Sequence, residues 1–339
     1  MRRLRRDAAW VRAAVTALSA LMGGGYPAEA YLKLGTTSGG QQLGLRWTTL
    51  PIRYFVNEQK LPGIGVAEYR AALDRAFATW QGIDSSTVAF QAAGATSASP
   101  QDSDGMTTLG FVARPDLDRV LGSTSFIVDT VTGEIVEAGI LFNSVFPWSA
   151  TAGGESGKYD VESIALHEIG HLAGLGHSAL GETELRAGGR RVLAAEAVMF
   201  PIAYSPGSTA GRQLRADDIA GMSDIYPGPA FRSDTGSISG RVTMNGQGVF
   251  GAHVVAFNPA TNALVGNFAL NSQGEFAIAG LAPGSYIVRV EPLDDADLTA
   301  FFGEGSNVQV NFGVSYLDRL AVVPRGGGAG PYEIRVTPR

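Results

Sequence analysis

The spacing of the hydrophobic residues changes about two thirds of the way along this 339-residue chain. Residues 66–81 place apolar side chains at intervals of three and four, which predicts an amphipathic helix that packs on a sheet. The stretch before it, residues 51–57, alternates like a half-buried strand, and residues 123–144 read as two strands joined by a tight turn. Two further helices are predicted over residues 160–173 and 216–226. This part of the chain is therefore expected to form an α+β domain.

The remainder consists of short alternating runs separated by Asn-Gly, Gln-Gly and Pro-Gly turns. Such turns at intervals of about 8 to 12 residues are typical of an all-β sandwich, which we expect over residues 237–339 and see most clearly in 237–292. The segments SNVQVNF and YEIRVTP are interpreted as further strands. Residues 228–236 are rich in Pro, Gly and Ser and are interpreted as a linker.

The N-terminus carries the pattern of a secretory signal peptide. MRRLRR is basic, AAVTALSALM is apolar, and AEA supplies small residues for cleavage near Ala30. The apolar run is far shorter than the roughly 20 residues that span a bilayer, which disfavours the alternative of an uncleaved anchor. We therefore expect residues 1–30 to be removed, no transmembrane segment, and secretion to an extracellular or periplasmic location.

Charge and cysteine content exclude some partners and attachments. The formal charge of −6 becomes −9 without residues 1–30, because that segment holds five arginines against one aspartate and one glutamate. An acidic protein is a poor candidate for binding nucleic acid or an anionic membrane. The chain has no cysteine, so the fold does not depend on disulfides and a lipid-anchored lipoprotein is excluded.

Three of the four histidines fall in HEIGHLAGLGH, residues 167–177. His167 and His171 are four residues apart and share one face of the predicted helix, and Gly174 is suited to ending that helix so that His177 can return. Three imidazoles on one ion are typical of a catalytic zinc site. The alternatives, packed core histidines or a chance match, are disfavoured because so long a motif rarely arises by chance in a chain with four histidines.

Glu168 lies about 100° round the helix from His167. This direction is suited to holding a water beside the metal rather than the metal itself. We therefore predict that Glu168 is the general base that takes a proton from water and returns one to the leaving amine.

The motif resembles that of the metzincin metalloproteases, and AVMFPIAY (residues 197–204) resembles their methionine turn, with Met199 supporting the zinc. Ser178, MFP and LRADDIAGMSDIYP are most similar to the matrixin branch. The resemblance implies a twisted mixed sheet with long helices over residues 31–227 and zinc-dependent cleavage of protein or peptide substrates. SGRVTMNGQGVFGAHVVAF and GEFAIAGLAPGSYIVRV resemble the carboxypeptidase regulatory-like, transthyretin-like module.

The same resemblance implies substrate-binding residues. The second strand of the predicted hairpin is expected to form the upper rim of the cleft and to pair with an extended peptide, through Gly139, Ile140 and Leu141. Pro201 and Tyr204 are expected to wall the pocket beside the scissile bond.

Several features depart from the matrixin pattern. Leu141 stands where matrixins carry a histidine for a second zinc, so only one zinc is expected, and no cysteine is present for a latency switch. The insertion between His177 and Met199 is interpreted either as a plain surface loop or as a segment that shapes the cleft. Asp102 and Asp104 are either calcium ligands, as matrixins often have, or simply solvated acids. His253 is interpreted as a structural residue of the sandwich.

The leading hypothesis is a secreted zinc metalloendopeptidase with Glu168 as its general base. The alternative is a surface-binding or adhesion protein, in which the sandwich binds a partner and the protease-like domain is a scaffold. The intact Glu168 favours the enzyme, because a scaffold does not need a base. The sequence identifies neither the natural substrate nor the partner of the C-terminal domain.

Overall fold

The computed structural model describes residues 10–15, 33–38, 41–187, 189–303 and 305–339. Its two largest hydrophobic cores lie in different parts of the chain. One fills the space between the helices and the sheet of the first part, and the other lies between the two sheets of the C-terminal part. The predicted fold class, an α+β domain followed by a β-sandwich, is confirmed.

The first part is built on a six-stranded mixed sheet. The strands of this part, in chain order, are β1 (Trp10–Val15), β2 (Gly35–Ser38), β3 (Gln41–Gly44), β4 (Ile52–Asn57), β5 (Phe90–Thr96), β6 (Thr108–Val112), β7 (Gly122–Asp129), β8 (Ile135–Asn143), β9 (Trp148–Ser149), β10 (Tyr159–Asp160), β11 (Gly181–Arg186) and β12 (Gly189–Ala195). The sheet has the order β1-β7-β8-β6-β4-β5. β7 and β8 form the predicted antiparallel hairpin, whereas β8, β6, β4 and β5 run parallel to one another.

The described residues of this part also form the helices α1 (Val66–Gln81), α2 (Val161–Leu172) and α3 (Ala216–Ile225), and the short α4 (Phe231–Asp234) forms within the predicted linker. α1 buries its apolar stripe, including Tyr69 and Trp80, as the helical spacing predicted. The indole nitrogen of Trp80 donates a hydrogen bond of 2.7 Å to the carbonyl oxygen of Leu166. α1 therefore supports α2, the helix that carries the histidine motif.

The C-terminal part is a sandwich of two sheets. Its strands are β13 (Gly236–Met244), β14 (Gln247–Gly248), β15 (His253–Asn258), β16 (Ala263–Phe268), β17 (Glu275–Leu281), β18 (Gly284–Glu291), β19 (Ser315–Tyr316), β20 (Ala321–Val323) and β21 (Gly328–Val336). One sheet joins β13 to β14, β17 and β21, and the other joins β15 to β16 and β18, with β19 and β20 on β18.

The two late strand predictions have different outcomes. YEIRVTP lies largely in β21 and is confirmed. SNVQVNF is wrong, because residues 306–312 form only an isolated bridge between Phe312 and Pro338. Val308 packs in one hydrophobic cluster and Phe312 in another, so the alternating pattern reflects burial without strand pairing.

The two parts of the chain pack directly against each other. The Gly266 backbone N–H of β16 donates a hydrogen bond of 2.8 Å to the buried Asp217 carboxylate of α3. Leu180 and Ala197 from the first part share a small buried cluster with Val255 of β15. The sandwich is therefore attached at the side of the first part that carries the histidine motif.

The predicted signal peptide, residues 1–30, lies outside the described residues except for Trp10–Val15. Those residues form β1, which pairs antiparallel with β7 at the outer edge of the sheet. Among the described residues, no helix combines the length and the apolar character needed to cross a bilayer.

The predicted position of the substrate rim is wrong. Gly139, Ile140 and Leu141 lie in the middle of β8, which is hydrogen-bonded to β7 on one side and β6 on the other. A strand paired on both sides has no free backbone groups to offer a peptide. The first strand of the hairpin, β7, lies outside β8 and faces the cleft instead.

Candidate metal centre

The helix α2 holds the first two histidines of the motif. The Asp160 carboxylate caps it by accepting a hydrogen bond of 2.8 Å from the Ser163 backbone N–H. His167 and His171 then lie one turn apart on the same face. The helix ends after Leu172, and Gly174 has a φ of +106°, a left-handed conformation that favours glycine. The chain reverses there and returns His177 to the other two histidines.

The three histidines converge through their Nε2 atoms. His171 Nε2 lies 3.1 Å from His167 Nε2 and 3.1 Å from His177 Nε2. Ligand nitrogens at 2.0–2.1 Å from a tetrahedral zinc ion would lie roughly 3.3–3.4 Å apart, so the spacing fits one ion between them. The three side chains form a group that is able to hold a metal ion.

The protonation of the rings also fits a cation. Each Nδ1 atom lies close to a backbone carbonyl oxygen. The distance is 2.8 Å from His167 to Val198, 2.8 Å from His171 to Leu175, and 2.6 Å from His177 to Ala300. Carbonyl oxygens only accept, so each Nδ1 carries the proton and each Nε2 presents a lone pair. Three lone pairs pointed at one spot repel one another unless a cation lies between them.

Burial keeps these imidazoles neutral, which is the form that binds a metal. Burial lowers the pKa of His177 to about 3, and it lowers the pKa of His167 as well. The pKa of His171 lies well below its usual value because of burial and the two neighbouring rings.

Glu168 is buried beside this group and is held by β7. Thr124 donates its hydroxyl to Glu168 Oε2 at 2.7 Å, which fixes the orientation of the carboxylate. Burial raises the pKa of Glu168 to about 7, although the Thr124 hydrogen bond opposes the shift. A carboxylate with a pKa near neutrality is suited to taking up and releasing a proton.

Gly122 is the glycine of β7 that lets Glu168 approach. A Cβ at this position would lie 2.6 Å from Glu168 Oε1 and 2.9 Å from its Cγ. Gly122→Ala is therefore expected to displace the carboxylate and to lower kcat/KM for a peptide by about 10- to 100-fold, since a misplaced catalytic group costs rate steeply. Zinc content and thermal stability should stay close to wild type.

Gly153→Ala is the matched control, because a Cβ at Gly153 meets no atom within 4 Å. Kinetics of the two variants on one fluorogenic peptide decide the matter. Equal rates for Gly122→Ala and Gly153→Ala would show that the close approach has no catalytic role.

The methionine turn, residues 197–204, lies under the histidines. A Cβ on Gly170 would collide with the Met199 sulfur, so the turn packs tightly against α2. Asp218 of α3 holds this turn by accepting hydrogen bonds from the backbone N–H groups of Val198 (2.9 Å), Met199 (3.1 Å) and Arg215 (2.8 Å). Because the Val198 carbonyl faces His167 Nδ1, Asp218 supports a histidine through the turn.

Asp218→Ala is expected to lower the free energy of unfolding by about 2–4 kcal/mol, since three backbone N–H donors lose one buried carboxylate acceptor. Chemical denaturation measures this loss. The exposed Asp234, which pairs with Arg325 on the surface, provides the control variant Asp234→Ala. Similar losses in the two variants would mean that Asp218 does not hold the turn.

An open cleft of about 290 Å³ runs over the histidines and Glu168. Pro201 and Tyr204 line it, as the resemblance implied, and Tyr204 also accepts a hydrogen bond of 3.1 Å from the Ala195 backbone N–H. Residues 119–124, at and before the start of β7, also line the cleft. Ala300, from the C-terminal part, lines the cleft as well.

The insertion between His177 and Met199 forms the hairpin β11–β12, here called the insertion hairpin. Its tip residue Gly189 lies against the guanidinium of Arg119, which lines the cleft, and its last residue, Ala195, lines the cleft as well. Of the two interpretations left open by the sequence, the structure therefore favours a segment that shapes the cleft.

The sequence analysis missed Thr124, Asp218 and Ala300. Asp218 lies in the quoted stretch LRADDIAGMSDIYP, where two adjacent acids at a helix start were the available signal. Thr124 and Ala300 had no local signal, because their partners are 44 and 123 residues away.

The other acidic and histidine predictions lie outside the metal centre. His253 is buried, and its Nδ1 lies 3.1 Å from a Glu291 carboxylate oxygen. Asp102 and Asp104 accept hydrogen bonds from the Ser99 and Met106 backbone N–H groups in their own exposed loop. Calcium binding there stays a prediction.

Comparison with known proteins places these features in a family. The sequence model of the matrixin family matches residues 46–227, and that of the carboxypeptidase regulatory-like domain matches residues 237–313. Metalloendoproteinase 5-MMP of Arabidopsis thaliana is 42% identical over 69 residues, which is 20% of this chain and 15% of that protein. Metalloendoproteinase 1-MMP of Arabidopsis thaliana is 40% identical over 77 residues, 22% of this chain and 17% of that protein.

Metalloendoproteinase 1 of Glycine max is 41% identical over 68 residues, 20% of this chain and 17% of that protein. The chain thus spans less than a fifth of the length of these curated relatives.

Proposed function

Since this chain belongs to the matrixin family, we propose that it is a zinc-dependent metalloendopeptidase that cleaves protein or peptide substrates. The observation that carries the proposal is the convergence of three histidine Nε2 atoms beside a buried carboxylate in an open cleft. His167, His171 and His177 would hold the zinc. When bound, zinc supplies Lewis acidity, which polarises a carbonyl and makes water a better nucleophile near neutral pH.

Glu168 acts as the general base in this proposal. Its Oε2 accepts a hydrogen bond from the Thr124 hydroxyl, and its Oε1 lies beside Gly122. The carboxylate takes a proton from the attacking water and later gives one to the leaving amine. Burial raises the pKa of Glu168, which favours the uptake of a proton from water by its carboxylate.

The substrate binds as an extended strand against β7. This strand lies at the cleft, and its outer edge accepts an antiparallel partner, as the pairing of Trp10–Val15 with residues 124–129 shows. A peptide added there gains backbone hydrogen bonds, and its side chain next to the scissile bond enters the cavity beside Pro201 and Tyr204. Removal of the predicted signal peptide near Ala30 would free this edge for a substrate.

We also propose that the protein is secreted, on the strength of the N-terminal signal pattern. N-terminal sequencing of exported protein tests this. A first residue at or near Tyr31 supports the proposal, whereas an intact Met1 on exported protein opposes it.

The proposed activity has a direct test on the purified mature protein. It should contain about one zinc per chain by elemental analysis and should cleave an unfolded protein such as casein. A chelator should abolish cleavage, and added zinc should restore it. A zinc-loaded, folded protein that cleaves no member of a broad peptide library would refute the proposal.

A further inference from the structure

We infer that the C-terminal sandwich is part of the metal centre, through residues 295–301, here called the bridging segment. This segment positions His177 for the metal by way of the Ala300 carbonyl. The inference rests on the proposed zinc site and goes beyond it, because it assigns to the sandwich the role of a positioning element.

The acceptor for His177 differs in origin from those of the other two histidines. His171 bonds to a carbonyl only four residues away, and His167 bonds to the methionine turn. The acceptor for His177 is Ala300, 123 residues along the chain, in a short 3-10 helix that follows β18. At 2.6 Å, this contact is also the shortest of the three.

The contact decides which ring nitrogen of His177 carries the proton. With Ala300 in place, Nδ1–H donates to its carbonyl and Nε2 is free for the metal. Without it, Nδ1 faces the water of the cleft, because Ala300 lines that cleft. Both tautomers would then be populated and the ring would be free to turn, so the metal would bind more weakly.

The bridging segment is fixed in two ways. At its start, the Asp295 carboxylate accepts a hydrogen bond of 2.7 Å from the Thr183 backbone N–H of the insertion hairpin, and the Asp295 carbonyl accepts one of 2.7 Å from the Thr183 hydroxyl. At its end, Phe301 is 1% exposed, in a hydrophobic cluster that also contains Phe268, and the equally buried Phe302 lies just beyond the segment. The segment is therefore held by both parts of the chain.

The two phenylalanines differ in one respect that matters here. The Phe301 ring lies nearly perpendicular to the His177 ring at 6.4 Å between centroids and also contacts Phe268. The Phe302 ring contacts Phe250 and Phe268. Phe301 thus joins the sandwich core to the third histidine, and Phe302 serves as a neighbour of equal size and burial.

The experiment compares zinc affinity in the full-length mature protein carrying Phe301→Ala or Phe302→Ala. Competition with a chromogenic chelator should show a loss of about 10- to 100-fold for Phe301→Ala, the range expected when a partner that orients a ligand is lost. Phe302→Ala should stay within about threefold of wild type, although both variants lose similar thermal stability. Phe301→Leu, which keeps apolar bulk, should restore most of the affinity.

A second pair of variants tests the other end of the segment without opening the core. Asp295→Ala removes the carboxylate that bonds to Thr183 and should weaken zinc binding several-fold, whereas Asp294→Ala, at the exposed neighbouring acid, should not. The visible absorption spectrum of the cobalt-substituted protein should change with Phe301→Ala and Asp295→Ala only, since it reports ligand geometry.

Equal zinc affinities and cobalt spectra within both pairs would overturn the inference. The wild-type protein separates this result from a failure of the proposed function. If the wild-type protein binds zinc and cleaves peptides, equal zinc affinities and spectra within each pair of variants refute only the role of the bridging segment. If it binds no zinc, the proposed metalloendopeptidase fails and the inference fails with it.

Discussion

Glu168→Gln is expected to lower kcat/KM for peptide hydrolysis by about 10²- to 10⁴-fold while zinc content stays at one per chain. The carboxylate does not belong to the three-histidine group, so its replacement leaves the metal ligands intact. Glutamine keeps the shape of the side chain and can still accept a hydrogen bond from Thr124, but it cannot take a proton near neutral pH. Only the proton transfer is removed.

Glu196→Gln is the matched control for this variant. Glu196 is exposed, and it lies between Ala195 and Ala197, two residues that line the cleft. The same chemical change is therefore made near the site but away from the proposed chemistry. Hydrolysis of a fluorogenic peptide and elemental analysis are measured for both variants. Full activity in Glu168→Gln would eliminate this residue as the base.

The helix α2 and the convergence of the three histidines were predictable because the residues that determine them are close together in the sequence. Helix geometry fixes the relation between His167 and His171, and the glycine that ends the helix directs His177 back toward them. The end of the helix near Gly174 is also a local signal, and it is confirmed. Local spacing therefore predicted which histidines the structure brings together.

The supports of the site were not predictable, because they depend on how distant elements pack. Thr124 reaches Glu168 only because β7 lies alongside α2, and Ala300 reaches His177 only because the sandwich docks beside the insertion hairpin. Neither packing arrangement leaves a periodic pattern in the sequence.

The error about the substrate rim has a similar cause. β7 and β8 both alternate, and alternation does not say which strand of a hairpin lies at the edge of a sheet. That choice is made by β6, which pairs parallel to β8 at Gly139 and Ile140. A parallel pairing between strands distant in sequence is set by the whole fold.

The position of the sandwich also affects the hypothesis of an adhesion protein. Deleting residues from Asp234 onward would remove the acceptor of His177 and expose Leu180 and Ala197, which pack against Val255. The deletion would therefore abolish peptide cleavage by a protease and partner binding by an adhesion protein alike. It cannot separate the two hypotheses. Point variants such as Glu168→Gln separate the two hypotheses, because they leave the sandwich in place.

His171→Ala is expected to weaken zinc binding by roughly 10²- to 10³-fold, if the 10–16 kcal/mol of a four-ligand zinc site is shared among its ligands. His171 lies in the middle of the group, with its Nε2 at 3.1 Å from both other Nε2 atoms. Alanine also leaves a cavity, because His171 is 8% exposed. Peptide hydrolysis should be lost together with the metal.

His253→Gln is the control, since it removes the fourth histidine, which lies outside the group. Thermal unfolding with and without a chelator gives the sharpest comparison, because an ion that binds only the folded chain raises its melting temperature. The chelator should lower the melting temperature of wild type and of His253→Gln, even though the latter starts lower. The melting temperature of His171→Ala should depend on the chelator much less than that of wild type, because weaker binding stabilises the folded chain less. If its melting temperature still depended on the chelator as strongly as that of wild type, the zinc would have to lie elsewhere in the protein.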